Sequence, residues 1–294
     1  MKKNKCIRII NSVLNCRKYI KNISVIFTIP FKKEIKLKFK NDVELLMKNF
    51  HFVNVIELME EGWKINKDKD IVYFEKGNMK VSVIESFILT EDFSNYCKYT
   101  KIEGKNVLDI GGLYGETSVY FLKEKKANKC FVYEPVIENC EKIKQNIKLN
   151  ELYNKLILFE KGVGKKEGEI IVESNSPPTT GGFGLEGNKY KYKMNVEKWN
   201  TILSRHLKDN IELCKCDCEG GEQYLIYANP DLIRKIKHWS IEVHSHKIAQ
   251  QLKNMFFELG YSHEEMGVID EDKGVIIYHF WIYEESDEVR FKDL

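Results

Sequence analysis

The sequence has no apolar stretch built to cross a bilayer: residues 23–30 are apolar but fall far short of the roughly 20 residues a spanning helix takes. It has no recognisable secretion signal either, because Arg8 breaks any signal-like apolar run near the start. Eight cysteines without such a signal fit a reducing cytoplasm better than a disulfide framework. The C-x-x-C spacing of a tetrahedral zinc site is missing as well. Cys214, Cys216 and Cys218 instead alternate along one run, as small buried side chains of a central strand would.

What is present is an ordinary globular composition, 43% hydrophobic and 31% charged, enough apolar material for a large core over roughly two units. The net charge of +3 is unevenly spread. Residues 1–40 hold twelve Lys/Arg against Glu34 alone, which gives +11 there and −8 over the rest. Residues 4–22 alternate polar and apolar faces at helical spacing, so a basic amphipathic helix is expected. It has three readings: a helix docked on its own domain, an arm touching anionic lipid or a lipid-linked glycan, and an RNA contact.

Residues 41–62 read as a helix, with Val43, Leu46, Met47 and Phe50 on one stripe and Gly62 as its stop. Residues 72–74 and 80–84 read as a hairpin. The expected organisation is therefore a basic arm over 1–40, a helix-plus-hairpin extension over 41–84, and a main domain over 85–294 that opens with a helix at 92–99.

Residues 106–110 form a short apolar run carrying Asp109, followed by glycines 111, 112 and 115 and by Val119 and Leu122 at helical spacing. That pattern predicts a strand, a tight turn and a helix whose first N–H groups face a ligand. A dinucleotide site needs G-x-G-x-x-G, but its second and third glycines would here be Leu113 and Glu116. An acid repels pyrophosphate, whereas carboxylates are favourable beside a ligand that carries a positive centre and no phosphate. Residues 129–133 predict a second strand closed by Glu134-Pro135, and a carboxylate there can accept both hydroxyls of a ribose. A helix follows over 136–150, then a third strand over 155–159. Hairpin arms at 169–173 and 190–194 bracket residues 175–189, a Gly/Pro/Thr-rich stretch that holds no regular element and reads either as a solvated loop or as a mobile lid or substrate loop near the cofactor.

A helix over 195–207 leads into a fourth strand over 211–217, ending in Asp217, Glu219 and Glu222 around a glycine pair. Ligands of open α/β sheets bind beyond the carboxyl ends of the strands. Three acids within six residues there need positive charge nearby, such as a sulfonium or a divalent ion, although Glu222 also suits a helix start. A fifth strand over 237–243 runs into Glu242 and His244, a helix covers 248–259, and two closing strands occupy 261–269 and 275–283 around the turn 270–274.

Lys215-Cys216-Asp217-Cys218-Glu219-Gly220-Gly221-Glu222 is similar to the K-x-D-x-E-G-x-E signature of the FkbM family of methyltransferases that use S-adenosylmethionine (SAM). Asp109-x-Gly111-x-x-x-Gly115 resembles motif I of class I methyltransferases. The likeness extends through Tyr133-Glu134-Pro135, Gly162-Val163-Gly164 with Gly168-Glu169, and Ile241-Glu242-Val243-His244, covering roughly residues 105–265. Gly112 and Gly221 stand where alanine is common, and Cys216 and Cys218 replace aliphatic residues. These small-for-small changes bear on packing.

The resemblance implies an α/β fold, a Rossmann-like sheet of seven strands with the last one antiparallel, preceded here by an N-terminal α/β extension. It implies methyl transfer from SAM to a hydroxyl of a sugar, glycan or secondary metabolite. The implied cofactor residues are Asp109, Gly111, Gly112, Tyr114, Gly115, Glu134, Pro135, Gly162, Val163 and Asp217. Asp217 and Glu219 are expected to orient the acceptor or a metal. His244, as a neutral imidazole near pH 7, is expected to be the base or to be polarised by Asp217, with His246 a weaker competitor. No metal ligands are assigned, and a divalent-ion requirement stays open. The expected partner is a small-molecule or glycan acceptor, in the cytoplasm or at a membrane surface reached through residues 1–40. Two alternatives remain: an RNA methyltransferase, disfavoured because no base-methylation signature is present, and a non-catalytic SAM-binding module, disfavoured by the intact Asp109, Glu134 and Asp217.

Overall fold

The computed structural model describes residues 2–29, 31–82, 89, 92–174, 190–270 and 275–282, and its chain divides into two compact units, Met1–Asp92 and Phe93–Leu294. In the first unit, α1 (Lys2–Asn15) precedes a hairpin of β1 (Glu34–Lys38) and β2 (Glu44–Lys48), then α2 (Phe52–Glu60) and a three-stranded meander of β3 (Lys64–Asp68), β4 (Ile71–Lys76) and β5 (Met79–Val81). The single helix expected over 41–62 is thus split. Residues 44–48 pair in antiparallel register with β1, Glu34 opposite Lys48 and Lys38 opposite Glu44, and only the second half is helical. A strand partner 10 or so residues away overrides weak helical periodicity, because β preference is decided by what lies alongside. The same hairpin straddles residue 40, where the basic arm was expected to end.

The amphipathic segment is docked within this unit. Arg8 forms a two-pronged ion pair with Glu57 of α2, at 2.7 and 2.5 Å, and Lys18 and Tyr19 both reach Glu60. Lys21 and Lys38 share Asp42, and Lys36 pairs with Glu44. Much of the basic charge is therefore answered locally, which favours the docked reading over the lipid or RNA readings. No helix among the described residues is long and apolar enough to cross a membrane.

The second unit is built on alternating strands and helices: β6 (Asn106–Ile110), α3 (Glu116–Lys123), β7 (Lys129–Tyr133), α4 (Ile137–Asn150) and β8 (Leu156–Phe159). Next come the short β9 (Gly162–Val163), the hairpin β10 (Gly168–Ser174) and β11 (Tyr190–Glu197), and α5 (Trp199–Arg205). The chain closes with β12 (Ile211–Cys216), α6 (Pro230–Ile233), β13 (His238–Val243), α7 (His246–Glu258), β14 (Ser262–Asp270) and β15 (Val275–Trp281). The loop expected over 175–189 and residues 271–274 of the turn expected over 270–274 lie outside the described residues. The helix expected from residue 195 starts at Trp199, because 195–197 continue β11 against β10 and β9. The helix expected at 92–99 is a single 3₁₀ segment, Phe93–Cys97.

Seven strands form one sheet in the order β14-β15-β13-β12-β6-β7-β8, and β15 alone runs against its neighbours. This is the seven-stranded sheet with one antiparallel strand expected from sequence. The chain builds outward from β6 to β8 on one side, then returns to β12 and builds outward the other way. β6 and β12 are consequently parallel neighbours at which the order reverses, and the crevice of such a sheet opens at their carboxyl ends.

One face of the sheet is held by aromatic packing. The rings of Trp199 and Trp239 stand 6.0 Å apart, those of Trp239 and Phe256 5.7 Å, and Phe256 stacks on Phe280 at 4.0 Å. All four side chains are buried, so α5, α7, β13 and β15 share one core. Trp239→Ala should lower unfolding stability by about 3–5 kcal/mol, while the exposed Tyr227→Ala should stay within about 0.5 kcal/mol, both read from denaturant titration.

Candidate active site

The turn after β6 is shaped by how closely β12 approaches it. Gly111 has φ +83°, and a Cβ there would lie 1.7 Å from the backbone oxygen of Asp217. Only hydrogen fits. The Gly111 and Gly112 amides both donate to the Tyr133 carbonyl, at 2.9 and 3.1 Å, which fixes the turn to the end of β7 as well. A Cβ on Gly112 would lie 2.2 Å from Val132 Cγ1, so the space an alanine would need is filled by the neighbouring strand.

Glu134 follows directly on β7. Its Oε2 accepts from the Leu113 amide at 2.9 Å, and its Oε1 accepts from the Val136 amide at 3.0 Å and from Asn139 at 3.2 Å. Burial nevertheless pushes its carboxyl up to about 7, against the pull of those three donors. The group is rigidly aimed and poised near neutral pH.

Beneath the turn lies Lys215, a lysine in the central strand with its side chain almost wholly buried. Its Nζ donates to the Gly111 carbonyl at 2.6 Å and stands 3.2 Å from Asp109 Oδ1 and 3.9 Å from Asp217 Oδ2. Burial alone would strip its proton, but Asp109 and Asp217 outweigh that and hold the ammonium well above its ordinary range. Asp109 is completed by Ser118, whose hydroxyl donates to Oδ2 at 2.5 Å.

At the carboxyl ends of β12 and β13, four acids surround one imidazole. His244 Nε2 is 3.3 Å from Glu219, 3.6 Å from Glu242 and 3.9 Å from Asp217, while Nδ1 is 3.2 Å from Glu222. Burial opposes its charge, yet Glu222, Glu219 and Asp217 together push it up to about 9. This corrects the sequence-based expectation of a neutral imidazole: near pH 7 His244 is a cation, already holding a proton and unable to take another. His246 begins α7. The cysteines of β12 behave as small core residues, Cys214 and Cys216 being buried free thiols and Cys218 half-buried.

A cavity of about 550 Å³ opens over the switch point, within the ordinary range for small-molecule sites. Of the residues singled out from sequence, Gly111, Glu134, Pro135, Gly162, Val163, Asp217 and Glu219 line it. Asp109, Gly112, Tyr114 and Gly115 do not: Asp109 is turned under the turn to Lys215, Tyr114 is fully buried, and the two glycines shape the loop from behind. His244 lies beside the cavity, reached through Asp217 and Glu219. Sequence reading missed Lys215 as the group that organises the acids, although a lysine inside an apolar central strand is itself a signal. It also missed the wall contributed by the β10–β11 hairpin, Ile170, Val172, Met194 and Val196, which only tertiary pairing brings over the sheet.

No family model and no curated protein matches the chain. Among solved structures, it is similar to methyltransferase FkbM from Methylobacillus flagellatus KT at 12% identity and TM-score 0.45, over 79% of this chain and 54% of that one. It thus spans about half the length of that protein. The METTL16 MTase domain aligns at 12% identity and TM-score 0.47, over 84% and 85% of the two chains. A candidate tRNA (m1A22) methyltransferase from Streptococcus pneumoniae, solved with S-adenosyl-L-methionine, aligns at 11% and TM-score 0.42, over 68% and 77%. Likeness of this degree carries nothing about acceptors, so chemistry has to be read from the side chains at the sheet mouth.

Gly260 and Gly111 both have positive φ, but a Cβ at Gly260 meets nothing within 4 Å. Gly260→Ala should therefore cost only the backbone penalty of about 1–2 kcal/mol, and Gly111→Ala distinctly more. Equal losses in urea titrations would show that the close approach of Asp217 is not a constraint.

Proposed function

We propose that the chain transfers a methyl group from SAM to a hydroxyl oxygen of a sugar, glycan or similar polyhydroxylated metabolite. The observation that carries this reading is Glu134, a buried carboxylate fixed by three donors at the end of β7 and facing a cavity whose far side is lined by Asp217 and Glu219. The first feature suits ribose hydroxyls and the second a positive centre. Phosphate would meet the same acids at a cost, which disfavours a dinucleotide.

The residues present fit such a donor. Glu134 would accept the two ribose hydroxyls, the turn at Gly111 to Leu113 would lie against the nucleoside, and Pro135 and Val163 would supply apolar surface. When bound, SAM supplies an electrophilic methyl group. The chain's own part is to hold the acceptor in line and remove its proton. With His244 protonated, that proton goes to a carboxylate, and Asp217 and Glu219 are the two that both line the cavity and touch His244. The imidazolium then acts as their counter-charge. The sugar-type acceptor follows the resemblance of the segment around Asp217 to the FkbM signature, and the mixed acidic and apolar lining supports a neutral polyol over an anionic polymer.

Two experiments test this. Incubating the protein with methyl-labelled SAM and pools of glycans, metabolites or RNA should label the carbohydrate or metabolite pool; Asp217→Asn should lower turnover by about 100-fold or more while the fold is kept. Label appearing only in RNA would replace the acceptor assignment. Methylthioadenosine, which keeps the ribose but has no group titrating between pH 6 and 8, isolates Glu134. Since the ionised carboxylate accepts the hydroxyls, affinity should rise about tenfold from pH 6 to pH 8 as the group with its midpoint at about 7 loses its proton. Glu134→Gln should bind more weakly and show no such slope.

A further inference from the structure

The acid cluster beside the cavity has a second property that methyl transfer alone does not require. Asp217, Glu242 and His244 each bring one ligand atom to within 4.8 Å of the others. Adjacent ligands on a six-coordinate cation with bonds near 2.1 Å lie about 3 Å apart, and opposite ligands about 4.2 Å. The His244 Nε2 separations of 3.6 Å to Glu242 and 3.9 Å to Asp217 fall between those limits, and Glu219 at 3.3 Å stands ready as a further oxygen.

Orientation points the same way. Glu222, fully buried, takes both the His244 amide and Nδ1, each at 3.2 Å. That leaves Nε2 aimed at the other three carboxylates. A metal-bound histidine is characteristically oriented in this manner, one ring nitrogen held by a buried carboxylate and the other free to coordinate. Asp217, Glu219, Glu222 and Glu242 surround His244, and Lys215, the nearby ammonium, is closer to Asp109 than to Asp217.

We propose that Asp217, Glu242 and His244 bind a divalent cation of the Mn²⁺ class at the edge of the cavity, with Glu219 on its open side. Two carboxylates and one imidazole suit a cation that accepts both oxygen and nitrogen, and Mn²⁺ does so. The imidazole coordinates in its neutral form, its proton passing to solvent. In the methyl-transfer reading on which this role rests, the cation would supply Lewis acidity toward the acceptor hydroxyl and would replace the imidazolium as counter-charge, with Glu219 still the proton acceptor. The site itself stands on its geometry alone.

The test is a titration of the full chain with MnCl₂ in the absence of any nucleoside, read by electron paramagnetic resonance of free Mn²⁺ and by selective broadening of the His244 ring resonances. One ion per chain is expected, with His244 broadened ahead of His206 and His279. Glu242→Gln and His244→Asn should each weaken binding by roughly tenfold or more, and Glu242→Gln should leave the affinity for S-adenosylhomocysteine within about twofold. No saturable Mn²⁺ binding, broadening centred elsewhere, or unchanged affinity in both variants would overturn the proposal. Because the broadening is read on the unsubstituted protein, the result does not depend on either variant folding. Mn²⁺ binding without S-adenosylhomocysteine binding would sink the methyl-transfer reading and leave the metal site standing.

Discussion

The ammonium of Lys215 is the group on which the site depends. It is sealed between the ends of β6 and β12 and answers Asp109, Asp217 and the Gly111 carbonyl at once. Burying a charge is expensive, and breaking one partner of a buried pair leaves the others uncompensated. Register explains how the arrangement arises, since Asp109 and Lys215 are direct cross-strand partners in the parallel pair β6–β12. Pairing those two strands in any other register would strand both charges in the core, so the ion pair specifies the alignment that also sets Gly111 against the Asp217 backbone.

From that alignment the character of the mouth follows. β12 delivers Asp217 and Glu219, β13 delivers Glu242 and His244, and Glu222 is folded beneath them. Half-buried acids screen one another poorly, and they would repel phosphate while welcoming a sulfonium, an ammonium or a metal ion. Glu134, on the other side of the switch point, adds a rigid acceptor for vicinal hydroxyls. In the proposed reading the two halves would take different parts of one ligand, and the β10–β11 hairpin adds an apolar wall to the cavity.

Much of this was legible in the sequence, and for identifiable reasons. The runs at 106–110 and 129–133 are short, apolar and terminated by glycine or by an acid followed by proline, and 211–216 is a mostly apolar run that ends at Asp217. Such strands are buried on both faces and read clearly. Glu134 and Asp217 could be singled out because each ends one of them. Features decided by distant partners were less visible. Residues 44–48 became a strand because residues 34–38 lay alongside. His244 is pushed toward its charged form because the carboxylates of Glu222, Glu219 and Asp217 converge on it, a sum that no local window contains. The cavity wall at Ile170 and Met194 exists only because β11 pairs with both β9 and β10.

The central claim, that the sheet mouth is built for a positively charged adenosyl donor and against phosphate, is most directly tested by calorimetric titration of the purified chain with SAM and with NAD⁺ in parallel. The structure predicts one SAM per chain with measurable heat and no saturable heat with NAD⁺. Saturable NAD⁺ binding together with a flat SAM titration would contradict it.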